Sequence, residues 1–328
     1  MRPIPDVGLR ITGQKHPPGF GLSSLTLLFF FMLTGLIPVQ VWADWSPLID
    51  RLVRDGNDKK SVAELFARPE ARFDPDPMSR KVEELIRHQS REPSAEREAR
   101  IRELFNKFLR PELIDRAFAY THENKAALRS IQTRYCVPEE IVVAIMLVET
   151  DLGRKTGSRR AFNTLASMAL AGDLEMIRPH LAGDLLTASN EEYARRRCLE
   201  KSDWAYQELI ALIHYAWKNK IDPLEIPGSI YGAIGLCQFM PSNVSAYGVD
   251  ADGDGRIDLF TTEDALHSIG KYLHSHGWKC NMNRKGQYRV VMTYNRSQIY
   301  ANTVLDIAEK LRTKARDETP RNEQADRS

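Results

Sequence analysis

The 328-residue chain lacks most of the short signatures by which chemistry is recognised. It has no G-x-S-x-G elbow, no phosphate-cradling P-loop and no H-E-x-x-H helix, which removes the serine-hydrolase, nucleotide-binding and zincin readings. No C-x-x-C and no Cys/His ligand spacing occurs, so zinc is not expected. The cysteines are only four, Cys136, Cys198, Cys237 and Cys280; they allow three pairings, among which the sequence does not choose. His274 and His276 stand two apart, a spacing that does not share a helix face, and read as surface or packing residues. There is no internal repeat and little strand-like alternation.

A long apolar run is missing as well. Residues 25–37 are apolar-dominated but number thirteen, too few for a standard membrane span. Arg2, Arg10 and Lys15 precede them, and Ala43 stands before a cut ahead of Asp44. Residues 1–43 therefore read as a signal peptide, and export to a periplasm is favoured over an uncleaved anchor. No cysteine sits at the cut, so a lipoprotein is not indicated. An even cysteine count suits an oxidising compartment. The leader carries three basic residues and one acid, so the 46 basic and 44 acidic residues of the whole chain become 43 and 43. A mature chain of zero net charge argues against nucleic acid as a partner.

What remains reads mostly as helix. Short amphipathic pieces at 45–53, 62–66 and 82–86 flank a polar, proline-bearing connector at 67–80. A charged helix follows at 96–108, and Pro111 opens the next, where its missing N–H costs little. Helices are expected at 161–170, 191–218 and about 297–314, and 286–295 fits helix better than strand. This divides the chain into a helical N-terminal segment (44–110), a main domain (111–315) and a polar tail (316–328) expected to be disordered.

Against this background one stretch is unusual, "IVVAIMLVETDLG" at 141–153. Pro138 begins its helix and Gly153 is expected to end it. Eight apolar residues end at Glu149. A helix apolar on every face is a buried helix, and burial disfavours an ionised carboxylate. That is a route to a general acid that keeps its proton near neutral pH. On periodicity alone the blander alternative is favoured, a first solvated residue past the core or an arginine's partner.

Three further stretches bear on the choice. In "GSIYGAIGLCQFMPSNVSAYG" (228–248) glycines cluster around Gln238, an amide set among apolar residues that wants partners; a core glutamine in a glycine-rich turn is the alternative. In "DADGDGRIDLFTTEDA" (250–265) Asp250, Asp252 and Asp254 alternate ahead of Gly255, as in a calcium loop whose backbone ligand is the Arg256 carbonyl. The twelfth position is Thr261 instead of glutamate, and Asp264 is the candidate to close a longer loop. In "TYNRSQIY" (293–300) Tyr294, Asn295 and Tyr300 offer ring faces and an amide suited to sugars, with two core tyrosines as an equal alternative.

Taken together, "YCVPEEIVVAIMLVETDLGR" (135–154), "GSIYGAIGLCQFMPS" (228–242), "DADGDGRIDLF" (250–260) and "YNRSQIY" (294–300) resemble the lytic murein transglycosylase B family in content and order. The resemblance covers roughly residues 100–312. It implies a mainly α, lysozyme-like transglycosylase domain with an EF-hand-like calcium loop and a helical N-terminal segment. It implies a lytic exotransglycosylase that cleaves peptidoglycan between N-acetylmuramic acid and N-acetylglucosamine and leaves 1,6-anhydro ends. Glu149 matches the single catalytic acid/base, Ser229 and Gln238 match groups lining the site, and Tyr272, Asn295 and Tyr300 match substrate-contacting positions. Asp264 matches the far ligand of the calcium loop. Calcium is expected to be structural, with no organic cofactor; glycan strands are the expected partner, with cell-wall synthesis or remodelling proteins as possible others. The stretch after Met168, "LAGDLEMIRPH", lacks the paired arginines often found there in the family. Rival readings are a hydrolytic muramidase using Glu149 with water, an inactive exported peptidoglycan-binding protein, and a calcium-responsive binding protein.

Overall fold

Thirteen α-helices account for most of the described residues, 44–89 and 95–325 of a computed structural model; the signal-peptide reading of 1–43 lies outside them. The first four are α1 (Ser46–Arg54), α2 (Lys59–Ala67), α3 (Asp76–Gln89) and α4 (Ala95–Asn106). Then come α5 (Pro111–Glu123), α6 (Lys125–Tyr135), α7 (Glu139–Thr150), α8 (Ala161–Leu170) and α9 (Glu191–Lys218). The last are α10 (Pro241–Tyr247), α11 (Thr262–Ser275), α12 (Arg284–Tyr294) and α13 (Gln298–Ala325). α8 and α9 have the bounds expected from periodicity. Among the described residues no helix is long and apolar enough to cross a membrane.

Two expectations are corrected. The connector at 67–80 is helical over its last five residues, because α3 already begins at Asp76; Pro77 falls in the first turn, where no N–H is needed. The last helix was expected to end at about 314, yet α13 runs on to Ala325. There Lys314 reaches Asp115 of α5 at 3.0 Å and Glu318 at 3.7 Å, an i,i+4 pair that favours the helix.

α7 is buried among other helices. Every side chain from Ile141 to Leu147 is fully buried, as a helix apolar on all faces requires, and α5, α6, α11 and α13 pack around it. α1–α3 share the same apolar core as the later helices. Trp45 meets Phe66 at 5.3 Å, and Phe66 meets Phe162 of α8 at 5.0 Å. The Arg51 guanidinium lies 3.7 Å over the Tyr206 ring of α9, and Arg159 clamps Asp74 and Asp76 at 2.5 Å each.

The only strands among the described residues are β1 (Arg159–Arg160) and β2 (Pro227–Gly228), an antiparallel pair with Arg159 opposite Gly228. Gly157 lies so close that a Cβ there would sit 2.2 Å from the Gly228 carbonyl oxygen. A disulfide joins Cys136, just past α6, to Cys280, ahead of α12, while Cys198 and Cys237 are free and buried.

Candidate active site

The end of α7 is locally unusual. Gly153 was expected to stop the helix, but the helix stops at Thr150, and Asp151 (φ 55°), Leu152 (φ 61°) and Gly153 (φ 86°) are all left-handed. Such conformations cost non-glycine residues on the order of 1 kcal/mol each. Arg116 of α5 offsets part of this through its ion pair with Asp151. The turn carries the chain sharply away from Glu149, at the last turn of the buried helix.

Glu149 is half-buried, so its carboxyl group meets the protein interior yet can be reached from outside. The Tyr300 hydroxyl donates to its Oε1 at 2.7 Å. Burial pushes its pKa up from 4.5 to about 7, and the Tyr300 hydrogen bond, which favours the ionised form, pulls the other way. A carboxyl group poised there can give a proton at neutral pH and take one back.

Around it stands an aromatic cluster. Tyr300 and Tyr294 are parallel with ring centroids 6.5 Å apart, Tyr294 meets Tyr272 at 5.0 Å, and Phe239 meets both Tyr294 and Tyr272, at 5.9 and 5.5 Å. His276 stacks on Tyr272 at 4.0 Å and Tyr247 closes the group at 4.9 Å from Tyr272. The packing role expected of His276 is thus met, and the His274 ring nitrogen lies 3.2 Å from the Tyr135 carbonyl. The tyrosine hydroxyls are engaged: Tyr272 donates to the Thr293 carbonyl at 2.7 Å and Tyr294 to the Cys237 carbonyl at 2.5 Å. What Tyr272 and Tyr294 can offer a ligand is therefore ring surface. Tyr300 is 1% exposed; it acts on Glu149.

The glycine-rich stretch folds into the loop beside the acid. Ser229 Oγ accepts from the N–H groups of Tyr231 and Ala233 at 3.3 and 3.0 Å, holding the turn. Gln238 adopts φ 50° and its amide donates to the carbonyls of Gly235 at 2.9 Å and Thr156 at 3.3 Å. The partners expected from a ligand are thus supplied to the amide N–H groups by backbone, and the side-chain carbonyl is left open to a further donor. Asn295 is exposed at the end of α12, on the segment leading to Tyr300.

Sequence reasoning missed Thr150. Its buried hydroxyl donates to the Leu236 carbonyl at 2.8 Å and accepts from the Gly153 N–H at 3.0 Å. The Leu236 N–H in turn donates to the Leu259 carbonyl at 2.8 Å. Gly235 permits this: its φ is 76° and an added Cβ would lie 2.4 Å from the Leu259 Cβ. One residue thus joins the acid's neighbour to the end of the acidic loop. The only signal for Thr150 was its adjacency to Glu149.

In that loop, carboxylate oxygens of Asp250, Asp252 and Asp254 lie within 4.8 Å of one another, all exposed. An all-oxygen set at that separation fits a hard cation with ligands at roughly 2.3–2.6 Å, calcium above all. Asp264 is not among them. It is 1% exposed, and its oxygens accept from the N–H groups of Ala251 and Asp258 at 2.8 and 2.7 Å. Burial raises its pKa, against those two hydrogen bonds. A buried carboxylate needs donors, and here the loop's own backbone provides them, as it does for Asp250, which accepts from the N–H groups of Gly253 and Gly255 at 2.8 and 3.0 Å.

Comparison with known proteins bears on the family and the fold. The family described as "Transglycosylase SLT domain" matches residues 40–287. Membrane-bound lytic murein transglycosylase B of Escherichia coli (strain K12) is 32% identical over 172 residues. That match takes in 52% of this chain but only 40% of the relative. Among solved structures, soluble lytic transglycosylase SltB1 from Pseudomonas aeruginosa gives a TM-score of 0.62 at 22% identity over 83% of this chain and 99% of that one. The Escherichia coli lytic transglycosylase Slt35 in complex with calcium gives 0.61 at 22% over 82% and 93%. SltB3 from Pseudomonas aeruginosa in complex with NAG-anhNAM-pentapeptide gives 0.60 at 19% over 82% and 80%. At these identities the structural likeness speaks for the fold.

Proposed function

The chain belongs to the transglycosylase SLT family, and from that premise we propose that it cleaves the β-1,4 bond between N-acetylmuramic acid and N-acetylglucosamine in peptidoglycan, leaving 1,6-anhydromuramyl ends. The observation that carries this is the Glu149 carboxyl group, with a pKa pushed up to about 7 by burial and a hydroxyl at 2.7 Å on Oε1.

The chemistry needs one carboxyl group. Protonated Glu149 donates to the bridging oxygen as the bond from the anomeric carbon breaks. The substrate's own 2-acetamido oxygen takes up the positive anomeric carbon, so a second carboxylate of the usual pair is not required. Glu149, now ionised, removes the proton from the C6 hydroxyl of the same muramyl residue. That oxygen closes on the anomeric carbon, the acetamido group is released, and Glu149 is protonated again. Nucleophile and electrophile share one sugar, so their effective concentration is high and ring closure competes well with water. The ring faces of Tyr272 and Tyr294, the Gln238 carbonyl, Ser229 and Asn295 are the assigned saccharide contacts, and Tyr300 tunes the acid.

The test is mass spectrometry of products from purified murein. We expect anhydromuramyl ends in place of reducing ones. Reducing muramyl ends alone would assign the site to a hydrolytic muramidase, and no products at all would leave a binding protein.

Calcium is assigned to Asp250, Asp252, Asp254 and the Arg256 carbonyl, in support of which stand the three clustered carboxylates and the calcium complex of the structural neighbour Slt35. Its role is to offset their repulsion and hold the loop. An ion bound only by the folded state stabilises it by about 2.7 kcal/mol at a hundredfold excess over Kd. Chelation should therefore lower the melting temperature by several degrees, and Asp250→Ala should abolish that difference. A melting temperature indifferent to calcium would remove the assignment. Export to the periplasm completes the reading, peptidoglycan being met there.

A further inference from the structure

We propose a second, non-catalytic saccharide-binding groove between α2 and the loop that follows α9, with Trp217 as its platform. Trp217 is among the few large apolar side chains left open, at 39% exposure. It lines a cavity of about 540 Å³ together with Leu65, Glu64, Arg68, Lys220 and Asp222, within the roughly 300–1,000 Å³ of small-ligand sites.

The lining selects the class of ligand. Trp217 and Leu65 supply an apolar floor, and an indole face suits the C–H face of a pyranose ring. Two acids and two bases surround it, so the groove carries no net charge to attract an anion or a cation. Donors and acceptors of both kinds at the edge suit a neutral, polyhydroxylated ring bearing acetamido groups. Arg68 is already held in place, because its Nη1 donates to Asp222 Oδ2 at 2.6 Å while Asp222 Oδ1 accepts from the Leu224 N–H at 3.0 Å. The guanidinium is thereby oriented before any ligand arrives, which lowers the ordering cost of binding. The Glu64 carboxylate is open at 67% exposure, paired only loosely with Lys60 at 3.8 Å.

The inference rests on the reading that the chain acts on a glycan polymer. A second hold on the same polymer raises retention through effective concentration, with no change at the catalytic groove. It also gives the N-terminal helices a use, since α2 forms one wall.

The test uses the mature chain carrying Glu149→Gln, titrated with the β-1,4-linked N-acetylglucosamine tetramer. The tryptophan indole N–H resonances report binding, that of Trp217 being identified by its loss in Trp217→Phe. We expect the Trp217 resonance to shift on titration. In the otherwise wild-type chain, Trp217→Ala should lower retention on insoluble murein by about five- to tenfold, Trp217→Phe should restore most of it, and cleavage of a short soluble glycan should be unchanged. An unmoved Trp217 resonance, or full retention by Trp217→Ala, overturns the proposal; a groove kept for a protein partner would give both. Failure of the catalytic reading shows separately, as no cleavage of the short glycan by the unmodified chain.

Discussion

Replacing Glu149 with glutamine should lower turnover of murein by about a thousandfold or more, within the range expected when a general acid/base is lost, while leaving the fold intact. Glutamine fills the same space and can still accept the Tyr300 hydrogen bond, but it can neither give nor regain a proton. The pH dependence follows from the same group. Activity that needs protonated Glu149 should fall as pH rises through about 7. Stability moves in the same direction. The folded carboxyl group holds its proton to about 7 while the unfolded one releases it near 4.5. Between those values the folded state binds the extra proton, so wild-type stability falls as pH rises. Glutamine has no proton to lose, and above pH 7 the variant should gain on the wild type by up to roughly 3 kcal/mol, less whatever solvent screening removes from a half-buried group. Urea unfolding of both proteins at pH 5 and pH 8 measures the difference of differences. Turnover above a tenth of wild type would rule Glu149 out as the proton carrier.

The second large effect is on stability alone. Cys136 and Cys280 close a loop of 144 residues, and in the chain-entropy account a link of that span stabilises by about 5 kcal/mol. That is comparable to the whole margin of a weakly stable domain. The double substitution Cys136→Ser, Cys280→Ser should lower the urea midpoint by a corresponding amount, and reductant should act the same way on the wild type. Cys198→Ser, a single free thiol, should leave the response to reductant unchanged. If the double variant unfolds within about 1 kcal/mol of wild type, the link is not what holds α6 and the start of α12 together.

How far the sequence carried this reading depends on how local each cause is. α7, α8 and α9 were legible because apolar spacing dictates a helix directly. Glu149 was legible as a candidate only when the apolar run that ends at it was joined to the stretches at 228–242, 250–260 and 294–300; the run alone favoured a solvated residue or an arginine's partner. The acidic loop was legible by its alternation, but the burial of Asp264 was not; which carboxylate faces outward and which is buried against backbone N–H groups is decided by packing. The same is true of Tyr300, whose hydroxyl finds Glu149 across 151 positions of chain. The left-handed run at 151–153 ran against residue preference, since only Gly153 favours it. Nor could spacing show that α1–α3 share one core with α8 and α9, because contacts so distant in sequence leave no periodic mark.

The strut from Leu259 through Leu236 to Thr150 has a practical corollary for anyone redesigning the acidic turn. Grafting a standard twelve-residue EF-hand loop in its place would shorten the segment behind Leu259, whose carbonyl is tied through Leu236 to Thr150, the neighbour of Glu149. A graft that returns that carbonyl oxygen to its original coordinates should leave the turn after α7 undisturbed, and one that does not should shift it.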